Sequence, residues 1–111
     1  MDLKINEVYN AKVLVIKGKL MGGIDAELFH DALQNSLNER IKNVIVDMSG
    51  IKFVNSSGIG ILVRGLTTLK NAGGELKLAG IPDKVQGVLS ITKLTSVFDI
   101  KASVEEASKT F

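Results

Sequence analysis

The chain contains no cysteine and no tryptophan, and it has only one proline and one histidine among 111 residues. Without cysteine it can form no disulfide bond and offers no thiolate for catalysis. A single histidine with no cysteine to join it cannot supply the usual ligands of a zinc site. We therefore expect neither a bound metal nor a disulfide framework.

Long apolar runs are also absent, because no stretch approaches the roughly 20 residues that a membrane span requires. The first ten residues do not read as a signal peptide, since they carry charges and lack an apolar run. The sequence predicts a protein of the cytoplasm that does not associate with a membrane.

Charge of neither sign dominates, because 14 Lys and Arg residues stand against 12 Asp and Glu residues, which leaves a net charge of +2. The basic residues are scattered and few aromatic rings are available for stacking, so we expect no direct binding of nucleic acid. Hydrophobic residues make up 45% of the chain, which is enough for a packed core. The length fits a single domain over residues 1–111, and we expect a monomer.

Apolar periodicity predicts an opening hairpin followed by alternating helices and strands. The hairpin turns at residues 9–10, between a strand that begins at Leu3 and a second, apolar strand at 13–16 that ends near Leu20. Repeated strand–helix units imply parallel strands that are joined by right-handed crossovers. The sequence therefore predicts one α/β domain.

The first helix has a predicted start at Asp25, which is suited to the N-cap, with Ile24 and Phe29 at the positions of a hydrophobic staple. Its apolar stripe begins at Leu28. The later predicted elements are a strand at 44–46, a helix at 56–72, a strand around 76–78, a helix opened by Pro82, a strand at 97–100, and a short last helix capped by Ser103 with Glu106.

Functional loops of parallel α/β sheets collect at the carboxyl ends of the strands. Here those segments are 21–23, 47–55 and 79–81. After the second of them, Ser56 and Ser57 stand where a helix begins. Gly58 and Gly60 follow, and each costs about 1 kcal/mol of helix propensity relative to alanine. We expect these glycines to let another surface approach the backbone amides closely.

The local pattern leaves two interpretations of Ser56 open. In the first, Ser56 is only an N-cap and the glycines allow the helix to pack on the sheet. In the second, Ser56 is a phosphorylation site at the positive end of a helix, beside free backbone amides. A phosphate of charge about −1.5 to −2 would then change what this surface presents to a partner.

Residues 47–49 (Asp-Met-Ser) and 55–60 (Asn-Ser-Ser-Gly-Ile-Gly) resemble the signature of STAS domains, and above all that of free-standing bacterial anti-sigma factor antagonists. Weaker likenesses at 18–20 and 103–107 extend the resemblance over nearly the whole chain. It implies a mostly parallel sheet of four to five strands, with about four helices packed on one face as a βα superhelix. It also implies that the chain has no catalytic residue and needs no cofactor.

The resemblance further implies a partner-switching function. An unmodified antagonist binds an anti-sigma factor, itself a serine kinase of the histidine-kinase-like ATPase fold, and so frees a sigma factor. The kinase then phosphorylates the first serine of the motif, here Ser56, which breaks the complex. Phosphate on Ser57 is the alternative if the register is shifted by one. A serine phosphatase restores the complex.

Two positions depart from the family pattern, since Asn55 and Met21 stand where acidic residues are usual. The absence of acidic side chains at these two positions favours an alternative function, a scaffold STAS module that assembles with other proteins and never receives phosphate. A ligand-sensing module is a third possibility, which the lack of membrane segments disfavours. Exposed apolar side chains often mark an interface, and Met21, Val54 and Ile59 are expected to contribute them. The alternative for Met21 is a place in the partial core. The predicted partner-binding residues are Met21, Gly22, Gly23, Lys52, Val54, Asn55, Ser56, Ser57, Gly58 and Ile59.

The sequence contains none of the motifs typical of serine hydrolases or of nucleotide-binding enzymes. Neither serine lies in the Gly-x-Ser-x-Gly elbow of a serine hydrolase. Residues 58–63 lack the third glycine of a dinucleotide fingerprint, and no Walker loop is present. His30 falls within a predicted helix and is expected to be a solvated surface residue. The sequence therefore predicts a binding protein rather than an enzyme.

Overall fold

The computed structural model describes all 111 residues, and its strands form one five-stranded sheet. The strands are β1 (Asp2–Val8), β2 (Ala11–Leu20), β3 (Asn43–Val54), β4 (Glu75–Ala79) and β5 (Asp99–Lys101). Their order in the sheet follows the chain. β1 pairs antiparallel with β2 through the predicted turn at residues 9–10, and all other neighbours are parallel. The carboxyl ends of β2 to β5 therefore share one edge.

Four helices follow the parallel strands, namely α1 (Ile24–Asn38), α2 (Ser56–Asn71), α3 (Asp83–Ile91) and α4 (Val104–Lys109). The predicted fold class, a mostly parallel sheet with about four helices, is confirmed. The predicted bounds of α2 differ from the observed ones by a single residue. None of the helices combines the length and the apolar character that crossing a membrane would require.

Successive residues of the parallel strands enter two separate cores. Leu14 and Val46 face the larger core beneath α1, α2 and α3. Val13 and Ile45 face the other side, where they pack with Ala107 of α4. The expectation that all helices lie on one face is therefore wrong for α4. Both faces of these strands carry apolar residues, as is typical of parallel sheets, and the second face needs a cover of its own.

A buried cation lies on the α4 face of the sheet. Lys77 of β4 is only 2% exposed, and its ammonium group donates a hydrogen bond to the Thr110 hydroxyl. The same group lies 3.5 Å from a carboxylate oxygen of Asp99 and 4.2 Å from the ring centroid of Phe111. A buried charge requires such partners, because desolvation without them is costly.

β3 is longer than the sequence predicts, and residues 47–54 belong to the strand rather than to a loop. Two register shifts against β2 each add one residue to β3, which identifies them as β-bulges. As a result Met48, Ile51 and Val54 face the core at a spacing of three instead of two. Because of the bulges, residues 47–54 lack the regular alternation of a strand, and Gly50 resembles a turn residue. The sequence pattern therefore predicts a loop here.

Two further boundaries and the predicted staple differ from the sequence prediction. α1 begins at Ile24 and has Gly23 at its cap position, without a side-chain cap, so Asp25 is not the N-cap. The predicted staple is also wrong, because Ile24 is 72% exposed while Phe29 is buried. The last strand begins at Asp99, since a 3-10 turn at Leu94–Ser96 uses the preceding residues. The cap of α4 is confirmed, because Ser103 Oγ accepts a hydrogen bond from the Glu106 amide at 3.1 Å.

Candidate functional site

Ser56 is the first residue of α2, at the carboxyl edge of the sheet. The N-cap is Asn55, whose side-chain oxygen accepts a hydrogen bond from the Gly58 amide at 2.8 Å. The interpretation of Ser56 as the cap is therefore wrong, because the capping residue lies one position earlier. Ser56 is exposed, and its hydroxyl group forms no hydrogen bond within the protein. The hydroxyl is thus free to react or to contact a partner.

The first turn of α2 has unpaired backbone donors. The first amides of any helix lack an acceptor within the helix. Asn55 satisfies that of Gly58, whereas the amides of Ser56 and Ser57 have no acceptor within the chain. The turn contains no acidic residue, so no side chain of the helix neutralises the positive end of its dipole. A phosphate on Ser56 would meet a favourable electrostatic environment.

The two glycines of the motif have different surroundings. A Cβ atom on Gly58 would lie 2.0 Å from the carbonyl oxygen of Leu20, so Gly58 allows α2 to press against the end of β2. A Cβ atom on Gly60 would have no neighbour within 4 Å. Gly58 therefore serves internal packing, as the first interpretation of the glycines expects. Gly60 is exposed and leaves open space beside the helix.

Residues 21–23 lie directly against the start of α2. The side-chain amide of Asn55 donates a hydrogen bond to the carbonyl oxygen of Met21 at 3.2 Å. Gly22 has a φ of 104°, which favours glycine, and a Cβ atom there would lie 3.0 Å from that of Ser57. The structure thus brings two of the three predicted functional segments together around the serines.

The third segment, 79–81, lies against residues of β3 and not against the two serines. A Cβ atom on Gly80 would contact Ser49 and Asp47 instead of the two serines. A carboxylate oxygen of Asp47 accepts hydrogen bonds from the backbone amide of Ser49 at 3.1 Å and from its hydroxyl at 2.8 Å. The Asp47 carboxylate therefore holds the bulge of β3 in shape.

The apolar part of the predicted partner-binding surface is partly wrong. Met21 is 45% exposed, as expected, but Val54 and Ile59 are each only 6% exposed and belong to the larger core. Gly58 is buried as well. The bulges of β3 turn Val54 inward, and Ile59 lies on the face of α2 that meets the sheet. Lys52 is exposed, consistent with its predicted position on the surface.

Three exposed apolar residues near the carboxyl edge were not predicted. Ile24 and Leu28, on α1 just after the loop 21–23, are 72% and 43% exposed, and Phe53 of β3 is 46% exposed. The spacing of four between Ile24 and Leu28 places them on one side of a helix. The sequence assigns them instead to the staple and to the core stripe, because it places the N-cap of α1 at Asp25, two residues after the observed cap position.

His30 is half-buried, and it lines a cleft between α1 and α2 together with Arg64. No group of three or more His, Asp or Glu side chains is placed to hold a metal ion.

Comparison with known protein families identifies this architecture. The family model of the STAS domain matches residues 2–107, which confirms the predicted resemblance. A protein of Thermotoga maritima named as a candidate anti-sigma factor antagonist is 26% identical over 96 residues, which cover 86% of this chain and 85% of the relative.

Solved structures show the same fold. The crystal structure of a candidate anti-sigma factor antagonist from Thermotoga maritima has a TM-score of 0.86 at 24% identity, over 97% of this chain and 92% of that one. The Bacillus anti-sigma factor antagonist SpoIIAA has been solved in its phosphorylated form, with a TM-score of 0.75 at 17% identity over 98% of both chains. Its unphosphorylated form has a TM-score of 0.73 at 15% identity, over 98% of this chain and 96% of that one.

Proposed function

This chain belongs to the STAS domain family, and on that premise we propose that it is an anti-sigma factor antagonist controlled by phosphorylation of Ser56. In this proposal its partner is an anti-sigma factor that is also a serine kinase of the histidine-kinase-like ATPase fold. Binding frees a sigma factor, phosphorylation breaks the complex, and a serine phosphatase restores it. The chain acts in the cytoplasm as a monomer, and it is not itself an enzyme.

The observation that carries the proposal is the free hydroxyl group of Ser56 at the start of α2. Asn55 performs the capping, so the hydroxyl of Ser56 has no structural task. The neighbouring amides of Ser56 and Ser57 have no acceptor in the chain and can stabilise added negative charge. The existence of a phosphorylated form of SpoIIAA, a protein of the same fold, supports the same chemistry here.

Phosphorylation of this site would act through charge rather than through movement of α2. The close approach of Gly58 to the Leu20 carbonyl group leaves the helix no room to shift toward β2. The backbone amide of Asn55 also donates a hydrogen bond to the Leu20 carbonyl oxygen, at 3.4 Å. A phosphate would add a charge of about −1.5 to −2 to a surface with no acid in the first turn, and a partner that fits the neutral surface would be repelled or displaced.

The test is phosphorylation by candidate anti-sigma factor kinases of the same organism. The wild-type protein, Ser56→Ala and Ser57→Ala are incubated with each kinase and ATP, and phosphate is mapped by peptide mass spectrometry. We expect modification at Ser56 in the wild type and in Ser57→Ala, and none in Ser56→Ala. Phosphate on Ser57 in the wild type would move the site by one residue. Binding to a kinase without any modification would contradict the phosphorylation switch.

A scaffold module that never receives phosphate is the second candidate function. The neutral side chains of Asn55 and Met21 favour it, because neither of these positions offers the acid that is usual there, and the first turn of α2 contains none. This function predicts that partner binding is unaffected by ATP, whereas the switch predicts that the wild-type complex dissociates with ATP and the Ser56→Ala complex does not.

A further inference from the structure

Both backbone polar groups of Met21 are held by side chains. Its amide donates a hydrogen bond to a carboxylate oxygen of Asp25 at 3.2 Å. Its carbonyl oxygen accepts a hydrogen bond from the side-chain amide of Asn55 at 3.2 Å. Residues 21–23 have no regular secondary structure, so these contacts, rather than a helix or sheet ladder, fix the backbone of Met21.

The Asn55 contact requires an amide group. Its oxygen accepts from the Gly58 amide while its nitrogen donates to the Met21 carbonyl, so one side chain joins the loop to the first turn of α2. An ionised aspartate could serve as the cap but has no proton to donate to a carbonyl oxygen. Serine is also a favoured cap, and its shorter side chain lacks the second group. Capping and loop attachment can thus be separated by substitution.

The result of this attachment is an exposed apolar side chain on a fixed backbone, in the loop that packs against Ser57. Met21 remains 45% exposed although its backbone is fixed on both sides. Gly22 packs against Ser57, which keeps the loop close to the serines. A fixed apolar contact loses less conformational entropy on binding than a mobile one, and therefore contributes more to affinity.

We propose that Asn55 is a positioning residue that ties residues 21–23 to α2 and holds Met21 as an apolar contact, which selects a partner with an apolar pocket next to its serine-binding site. This inference rests on the proposed function, since it names the feature by which the same surface recognises its partner.

Hydrogen exchange in the isolated protein tests the attachment. Asn55→Asp and Asn55→Ser both keep a cap acceptor and lose the donor to Met21. The Met21 amide keeps its acceptor on Asp25 in both variants, but the loop loses the hydrogen bond from Asn55 to the Met21 carbonyl oxygen. Because one hydrogen bond contributes roughly 1 kcal/mol, we expect the loop to open more readily and the Met21 amide to exchange about fivefold faster, while the Gly58 amide keeps its protection. Asn71→Ser, at the other end of α2, is the matched control and should leave both amides unchanged. Unchanged exchange at Met21, or equal loss at Met21 and Gly58, would overturn the inference.

Binding tests the contact itself, with the anti-sigma factor that the phosphorylation assay identifies as the probe. We expect Met21→Ala and Asn55→Ser each to weaken binding about tenfold, which is the range of a residue at the centre of an interface. The double variant should bind no more weakly than Met21→Ala alone, because Asn55 acts through Met21. Ile5→Ala is the control, since Ile5 is 47% exposed on β1, and it should bind like the wild type.

The outcomes of the two experiments are distinguishable. If Met21→Ala binds like the wild type, or if the two losses add, the inference is wrong even though the proposed function stands. If no anti-sigma factor binds the wild-type protein, the proposed function fails, and the exchange experiment still decides whether Asn55 holds the loop.

Discussion

α1 and α2 both begin at the carboxyl edge of the sheet, and their first turns are built in opposite ways. α1 has Gly23 at its cap position, no side-chain cap, and the acids Asp25 and Glu27 in its first turn. α2 has Asn55 as a side-chain cap and no acid in its first turn. The positive end of α1 is therefore neutralised by its own side chains, whereas that of α2 is left for an added anion.

This difference separates a helix start that serves structure from one that is suited to recognition. Asp25 is engaged on both sides, because one carboxylate oxygen accepts from the Met21 amide and the other lies 3.3 Å from the Met1 ammonium group. Ser56 occupies the first position of α2 and has no such partner. A polar group with no internal partner, at an exposed helix start, remains available to another molecule.

The largest expected effect comes from Gly58→Ala, which removes the space that allows α2 to begin against β2. The new Cβ atom would overlap the Leu20 carbonyl oxygen, and we expect the free energy of unfolding to fall by about 3 kcal/mol. Gly60→Ala is the matched control and should raise it by about 0.5–1 kcal/mol, because the site is open and alanine favours helix. Urea denaturation measures both, and similar effects of the two variants would contradict the different roles of the glycines.

Asn55→Ala tests the side-chain cap that distinguishes α2 from α1. The loss of the acceptor for the Gly58 amide should lower the free energy of unfolding by about 1–2 kcal/mol. Asn38→Ala, at the exposed end of α1, makes the same chemical change without removing a cap, and should stay within about 0.5 kcal/mol of the wild type. Equal effects in thermal or urea denaturation would mean that Asn55 does not stabilise the start of α2.

The smallest effect is expected for Asp25→Asn, which removes a charge from the first turn of α1. Loss of the favourable interactions with the helix dipole and with the Met1 ammonium group should together cost about 0.5 kcal/mol at low salt. The difference should shrink at high salt, because ions screen the interaction. Asp31→Asn, further along α1 and exposed, is the control and should have a smaller effect. A loss that does not respond to salt would argue that the Asp25 charge plays no part at this helix start.

The sequence was sufficient to predict the features that depend on local pattern. The apolar residues of α2 recur at helical spacing, and the glycines after Asn71 end it, so both of its boundaries could be predicted. The residues at 47–49 and 55–60 also identified the family before any coordinates were considered.

Other features depend on contacts between distant segments and could not be predicted. The bulges of β3 arise from pairing with β2, and they decide that Val54 points into the core. The cap at Asn55 was hidden because serine is equally suitable for that position. No pattern in the sequence shows that Asn55 and Met21, the two departures from the family motif, form a hydrogen bond with each other.

Because Lys77 is buried under α4, the helix on that side of the sheet separates from it more readily than the helices on the other side. When α4 separates from the sheet, the ammonium group gains water, and this hydration offsets part of the loss of its contacts with Thr110 and Phe111. The small apolar cluster under α4 gives little opposing free energy compared with the larger core on the other side. We therefore expect the C-terminal helix to unfold locally before the rest of the domain, while the edge that carries Ser56 keeps its native shape.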